Sequence, residues 1–118
     1  PHMKSTEIAV DILKAGFDIA GEVPILLVNE PMLISQGQDS DLRYNFFYPR
    51  WAYDEYRQLM SNLAAEETWH YVDFWNAIPS NEFTNSAVHL SHKGSKQFAS
   101  ILMQAILEAA QSEASNRE

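Results

Sequence analysis

Two histidines three positions apart, His89 and His92, stand in the stretch FTNSAVHLSHKG. An imidazole titrates near neutral pH, so a histidine fixed at the mouth of a cleft can act as a general base. The same ring can instead anchor a loop through hydrogen bonds to the backbone, and the residues alone favour that interpretation for His89. His92 follows Ser91, a typical helix N-cap, so we expect its side chain to point into solvent.

A zinc site built from the two histidines and the nearby Glu82 is an alternative. Both rings would have to lie on one helical face, which requires the helix to begin before Ser91, and no carboxylate follows at the spacing that orients a zinc-bound imidazole. The chain has no cysteine, which excludes thiolate metal sites and disulfides. We therefore predict neither a metal nor a cofactor.

The charge balance excludes one class of partner. Sixteen acidic and eight basic side chains give a net charge of −8, which repels the phosphates of nucleic acid. No apolar run approaches the roughly 20 residues that cross a bilayer, so no membrane partner is predicted for this segment.

The length of 118 residues and the 46% hydrophobic content fit one compact domain. Residues 1–3, with the sequence PHM, are interpreted as the remnant of an expression tag. A single α/β domain is predicted for residues 4–111. Residues 112–118 are polar and are predicted to form a frayed tail.

The first 30 residues predict one helix and one strand. From Lys4 to Ala20 apolar side chains recur with a helical period, and Gly21 then supplies a stop. The run VPILLV from Val23 to Val28 is continuously apolar, as is typical of a strand covered on both faces in a parallel sheet. The main apolar stripe of the helix consists of Ile8, Ile12, Ala15 and Ile19.

The remaining residues predict a long loop, two helices and a second strand. Residues 31–49 show no clean period, and the aromatic end of this stretch indicates a loop packed on the domain. Residues 52–65 have the apolar spacing of a helix, and WHYVDFW at 69–75 is aromatic and β-branched, as expected of a strand. Ser91 is the predicted N-cap of the last helix.

The order of these elements predicts an α/β fold with a parallel sheet flanked by helices, in the order α-β-α-β-α. Functional groups gather in such folds where the strands end. Two strands leave unpaired backbone at both edges of the sheet. We therefore expect the sheet to be completed either by a second copy, in a homodimer, or by a missing N-terminal part of the same domain.

Several segments together resemble the C-terminal part of SGNH (GDSL-type) hydrolases, a family of esterases and lipases. The segments are VPILLVNEP, WHYVDFW and FTNSAVHLSHKGSKQFASIL. In that family a late loop carries an Asp-x-x-His pair, followed by Leu or Pro, a small polar residue and a Gly that opens the final helix. His89, Leu90, Ser91 and Gly94 match this pattern. The resemblance implies part of a flavodoxin-like SGNH fold in which His89 is the general base for hydrolysis of an ester by an attacking serine.

Two departures from the family pattern bear on activity. The acid of the pair falls at Ser86 by strict spacing, or at Asn85 if the loop holds one extra residue, and neither side chain carries a negative charge. Glu30 is the candidate substitute acid, although a solvated loop carboxylate is the alternative. The family's Gly-Asp-Ser nucleophile and oxyanion donors have no counterpart, so we expect the isolated chain to be inactive. The similar letters GQDS at 37–40 are interpreted as a turn.

Three residues are candidates for contact with a substrate. Asn29 ends the first predicted strand, where ligands meet polar groups in parallel sheets. Arg43 and Tyr44 lie in the long loop and could grip acyl or sugar groups by charge-assisted hydrogen bonds and stacking, although packing of the loop explains them equally well. The competing functional class is a non-catalytic assembly module that pairs through its sheet edge, which the missing acid and serine favour.

Overall fold

The computed structural model describes residues 2–118, so Pro1 of the predicted tag remnant lies outside the described residues. The protein is a mixed α/β chain with a two-stranded parallel sheet, which confirms the predicted class. No helix within residues 2–118 has the length and apolar character needed to span a membrane. The elements are a 3-10 helix at Ser5–Glu7, α1 (Val10–Ala20), β1 (Leu26–Asn29), α2 (Arg50–Glu66), β2 (His70–Asp73), a 3-10 helix at Ser80–Glu82 and α3 (His92–Asn116).

The sheet pairs β1 with β2 in parallel, from Leu26 opposite His70 to Asn29 opposite Asp73. The strand β1 is shorter than the apolar run that predicted it, and Pro24 accounts for part of the difference because it has no N–H to donate. All residues of both strands are half-buried rather than buried. The register places the side chains of Asn29 and Asp73 together at the carboxyl end of the sheet.

The first helix is shorter and differently oriented than its sequence pattern indicates. It begins at Val10, because a 3-10 turn replaces the predicted first turns. The ring of Phe17 stacks on Trp69 with centroids 4.1 Å apart, and this contact attaches the helix to the domain. The predicted apolar stripe lies on the other side, since Ile12 is 69% exposed and Ile19 is 87% exposed.

The long loop supplies much of the core, as its aromatic end indicated. Met32 and Tyr44 from this loop are buried against Tyr53 of α2. The amide of Asn45, also buried, donates to the carbonyl of Leu33 at 2.9 Å and accepts from two N–H groups of the following turn. The Asn45 side chain therefore supplies hydrogen-bond partners that the backbone of this loop would otherwise lack.

The last helix begins as predicted and ends later. Ser91 caps it, with its hydroxyl oxygen accepting from the N–H of Gly94 at 3.0 Å. The helix continues to Asn116, through most of the predicted polar tail at 112–118. His70 Nε2 lies 2.8 Å from a carboxylate oxygen of Glu113, and this contact holds the extra turns against β2.

Gly94 is the position at which we expect the start of α3 to be least tolerant of a larger residue. A Cβ there would lie 2.9 Å from the carbonyl oxygen of Glu82 and 3.0 Å from its Cβ. Gly94→Ala should lower the free energy of unfolding by about 1–3 kcal/mol, measured by urea denaturation.

Gly16→Ala is the matched control, because Gly16 lies inside α1 and a Cβ there meets nothing within 4 Å. Removing a helical glycine from an open site should raise the free energy of unfolding by up to about 1 kcal/mol. Equal effects of the two substitutions would contradict the close contact between Gly94 and Glu82.

Candidate functional site

The loop that carries His89 is closed by backbone contacts at its base. Phe83 and Leu90 form an antiparallel bridge, and the N–H of Thr84 donates to the carbonyl of His89 at 2.9 Å. The Thr84 hydroxyl donates to the same carbonyl at 3.2 Å. These bonds fix the backbone of His89 just before α3 while its side chain remains exposed.

Asn85, rather than Ser86, is the residue that contacts the ring. His89 Nδ1 lies 3.1 Å from Asn85 Oδ1. Because an amide oxygen only accepts, this contact favours the tautomer in which Nδ1 donates and Nε2 keeps the lone pair that a general base requires. The Ser86 hydroxyl instead accepts from the N–H of Val88 at 3.3 Å.

The buried carboxylate of Glu82 joins the base of the loop to α3. It accepts from the hydroxyl of Ser91 and lies 3.1 Å from the ammonium group of Lys93, while the Glu82 carbonyl accepts from the N–H of Ser91 at 2.7 Å. The bond from Ser91, followed by the one from Lys93, lowers the pKa of Glu82 below its usual value. The carboxylate is therefore ionised at neutral pH and holds the loop that carries His89.

Sequence reasoning considered Glu82 only as a metal ligand and missed this positioning role. The N-cap of the last helix contained one sequence signal for this role. A Ser N-cap is often paired with Glu or Gln at the third helical position, where this chain has Gly94. A carboxylate from another segment can take the place of that missing partner, and Glu82 is the one that bonds the Ser91 hydroxyl.

The polar side chains at the ends of the two strands bond one another. Asn29 Nδ2 donates to Asp73 Oδ1 at 2.9 Å, and Arg57 Nε donates to Asp73 Oδ2 at 2.7 Å. The guanidinium of Arg57 also lies over the ring of Trp75, 4.2 Å from its centroid. Asp73 Oδ1 also accepts from the N–H of Trp75 at 3.3 Å, so this acid caps the turn after β2. With its charge paired, Asp73 contributes to the rigidity of this edge rather than to the His89 pair.

Glu30 is brought to the same surface as His89 but not into contact with its ring. Both residues line a small pocket beside Leu90 and Phe98. Among the described residues, the only side-chain hydrogen bond of His89 is the one to Asn85. The exposed carboxylate of Glu30 therefore lies in the same pocket as His89 and remains a candidate acid, but it makes no hydrogen bond to the ring.

A larger cleft opens beside this pocket, with a volume of about 660 Å³. We call it the aromatic cleft. It shares the lining residues Glu30 and Val88 with the pocket of His89, so the two spaces adjoin. Its lining consists of Met3, Glu7, Ile8, Val28, Asn29, Glu30, Met32, Phe47, Tyr48, Pro49, Ala52, Tyr53, Tyr56 and Val88.

Of the three predicted substrate contacts, only Asn29 lines this cleft. Tyr44 is 5% exposed, and its hydroxyl donates to Asp54 at 2.6 Å, so it belongs to the core. Arg43 is exposed and forms a backbone bridge with Pro49, but its own side chain is not part of the cleft lining. Packing of the loop, the alternative left open by the sequence, accounts for Tyr44.

The segment GQDS at 37–40 is a turn, as interpreted from the sequence. The N–H of Ser40 donates to the carbonyl of Gly37 at 3.2 Å, and Asp39 has a φ of 63°. Nothing in this arrangement resembles a nucleophile held beside His89.

Within residues 2–118, no group of three His, Asp or Glu side chains is arranged to hold a metal ion. The side chain of His92 is exposed on the first turn of α3, as predicted.

Tyr53 gives the region a measurable pH dependence. Burial, opposed by its hydrogen bond with Asn29 and reinforced by the charge of Asp73, raises the pKa of Tyr53 to about 12. In the unfolded chain the tyrosine pKa is about 10, so the folded state holds the proton more tightly. The free energy of unfolding should therefore be unaffected below pH 10 by this group and fall as the pH rises from about 10 to about 12.

Tyr53→Phe should make this alkaline decline less steep, because the variant has no phenol to ionise. Urea unfolding of both proteins across that pH range measures the difference. An identical decline in the variant would show that Tyr53 is not responsible.

Comparisons with protein-family models, curated proteins and solved structures gave no significant match to this chain.

Proposed function

We propose that this chain is the later part of an SGNH-type esterase domain, in which His89 serves as the general base for attack of a serine on an ester. The observation that carries the proposal is the contact of 3.1 Å between His89 Nδ1 and Asn85 Oδ1. It favours the tautomer whose Nε2 can accept a proton, in a loop directly before the last helix. SGNH hydrolases, which this chain resembles, have their catalytic histidine at this position.

The reaction follows from the available lone pair. Nε2 removes the proton from the serine hydroxyl as its oxygen forms a bond to the ester carbonyl carbon. The imidazolium then returns that proton to the departing alkoxide, which leaves an acyl-serine for water to cleave. Asn85 retains the ring orientation but supplies no charge to stabilise the imidazolium, which predicts a slow enzyme.

The residues around His89 divide the supporting roles. The bonds of Glu82 hold the loop base, so Glu82 is a positioning residue. Glu30 lines the same pocket as His89 and is the candidate for the missing charge. The proposal requires a serine and oxyanion donors that have no counterpart among the residues of this chain, and the donors alone are worth about 10²–10³ in rate. The isolated chain should therefore not hydrolyse esters.

The proposal is tested in the complete domain that it requires, which we call the parent protein. Its hydrolysis of a p-nitrophenyl ester should be lost when His89 is replaced. His89→Ala should lower kcat by on the order of 10³-fold, because the serine loses its proton acceptor. His92→Ala is the matched control and should leave kcat unchanged, since that ring lies outside the pocket. Activity that survives His89→Ala would overturn the assignment.

Asn85→Asp tests the same geometry by gain of function. A carboxylate beside Nδ1 should raise kcat by up to about 10⁴-fold, the reverse of an acid-to-amide change. Ser86→Asp is the control, because the Ser86 side chain is bonded to its own loop instead of the ring. A larger gain at Ser86 than at Asn85 would contradict the contact seen here.

A second candidate function is a non-catalytic assembly module, and one specific observation favours it. Both strands of the sheet are edges, and two helices expose apolar side chains: Ile12 and Ile19 on α1, and Met103, Ile106 and Leu107 on α3. Unpaired strand edges beside apolar surface are templates for association. In this alternative, a second copy covers the edge and gives a homodimer.

Light scattering at micromolar concentration should then report twice the chain mass of 13.5 kDa. Ile106→Lys should shift the protein to monomer, because Ile106 is 52% exposed in a groove beside Leu26. Ser112→Lys adds the same charge to an exposed position outside that groove and should leave the dimer intact. If the unsubstituted chain is strictly monomeric, the homodimer is excluded.

A further inference from the structure

The aromatic cleft has the size of a small-molecule site and is bounded by rings. Its volume of about 660 Å³ lies within the range of about 300–1,000 Å³ that is typical of ligand pockets. Four of its lining side chains are aromatic: Phe47, Tyr48, Tyr53 and Tyr56. None of these rings is required by the proposed chemistry of His89, so a ligand of the cleft can be considered separately from that chemistry.

The four rings form a continuous series inclined to one another. The centroids of Tyr48 and Tyr53 are 5.1 Å apart with planes at 51°, and those of Tyr53 and Tyr56 are 5.7 Å apart at 41°. Phe47 adjoins Tyr48 at 6.5 Å and 63°. The rings are therefore tilted against one another rather than stacked in parallel. Ring faces carry negative electrostatic potential and attract cations.

The charged side chains of the cleft add to this potential. Two carboxylates, Glu7 and Glu30, line the cleft, whereas none of its lining residues is Lys or Arg. Glu7 accepts from the backbone N–H of Lys4 at 2.8 Å, which holds its carboxylate in place. Glu30 makes no side-chain hydrogen bond or ion pair within residues 2–118, and its carboxylate is exposed at the end of β1. An anionic ligand would meet two like charges and no counter-charge, so phosphates and carboxylates are excluded as occupants.

The uncharged remainder of the lining suits an organic group. Val28, Met32 and Ala52 offer apolar surface beside the rings, so burial of a hydrocarbon portion is favourable there. A bare metal ion would find no set of three ligating side chains in the described chain. The lining therefore favours an occupant that combines positive charge with apolar bulk.

We propose that the aromatic cleft binds a small organic cation with an alkylated ammonium head. The ring faces of the tyrosines receive the head, Glu30 and Glu7 supply opposite charge, and the apolar wall covers the rest of the molecule. This inference does not rest on the proposed ester chemistry, because binding requires neither His89 nor a serine.

Choline and its neutral isostere 3,3-dimethylbutan-1-ol test the proposal directly. The two have the same shape and differ by one charge, so the ratio of their dissociation constants reports the electrostatic contribution. At low ionic strength, calorimetric titration should show choline binding at least about fivefold more tightly. Equal affinities, tighter binding of the alcohol, or no measurable choline binding would each overturn the proposal.

Variants locate the binding in the cleft. Glu30→Gln leaves an exposed side chain of the same size and should weaken choline binding while leaving the alcohol unaffected. Tyr56→Leu should do the same by removing a ring, and Tyr56→Phe should preserve binding because the ring face remains. Trp51→Leu removes an exposed aromatic side chain of α2 outside the lining and should change nothing. Choline binding unchanged in both Glu30→Gln and Tyr56→Leu would place the ligand elsewhere.

The test also separates this site from the catalytic proposal. His89→Ala should leave choline affinity unchanged, since His89 does not line the aromatic cleft. Choline can bind even if no ester hydrolysis is found, and ester hydrolysis can occur without choline binding. The two measurements therefore test the two proposals separately. Circular dichroism of each variant confirms that it is folded.

Discussion

Parallel pairing of two four-residue strands is the constraint from which the rest of the structure follows. Such a short sheet buries little, and all of its residues stay half-exposed. Burial must therefore come from the loop after β1, which places Met32 and Tyr44 against Tyr53 of α2. Because parallel strands end on one side, the same pairing gathers Asn29 and Asp73 with the loops that carry Glu30 and His89. The loop that makes the core thus also forms the rim of the site.

Two kinds of polar contact share that rim and differ in purpose. The bonds among Asn29, Arg57 and Asp73 pair every charge and tie α2 to the strand ends. The contact between Asn85 and His89 is exposed and leaves Nε2 unbonded among the described residues. The general base proposed at His89 requires such an unbonded lone pair in rigid surroundings. The ionised carboxylate of Glu82 attaches this loop to the start of α3, because it contacts both the Ser91 hydroxyl and the Lys93 ammonium group.

Much of the fold could be predicted from local patterns, and the misses have physical causes. Ser91 as a cap and the apolar period of α2 were readable because both depend on neighbouring residues only. The orientation of α1 was not, because the helix carries apolar residues on two sides and the stacking of Phe17 on Trp69 decides which side packs.

The site was readable to a similar degree. The sequence placed His89 at the start of the last helix, yet it could not choose between Asn85 and Ser86 as its partner. That choice depends on how Thr84 closes the loop on the His89 carbonyl. Glu82 was missed as a support because its partner Ser91 is nine positions away, beyond the reach of any helical or turn pattern.

The weak attachment of α1 has a consequence for access to the aromatic cleft. The helix is held by the Phe17–Trp69 stack and by the ion pair of Lys14 with Glu67, and none of residues 10–20 is buried. Ile8 and Glu7, which border the cleft, directly precede this helix. Elements with so few buried contacts open at a small free-energy cost compared with the global fold. Transient release of α1 would therefore loosen the preceding segment, which carries Glu7 and Ile8 at the edge of the cleft, while the core around Met32 stays closed.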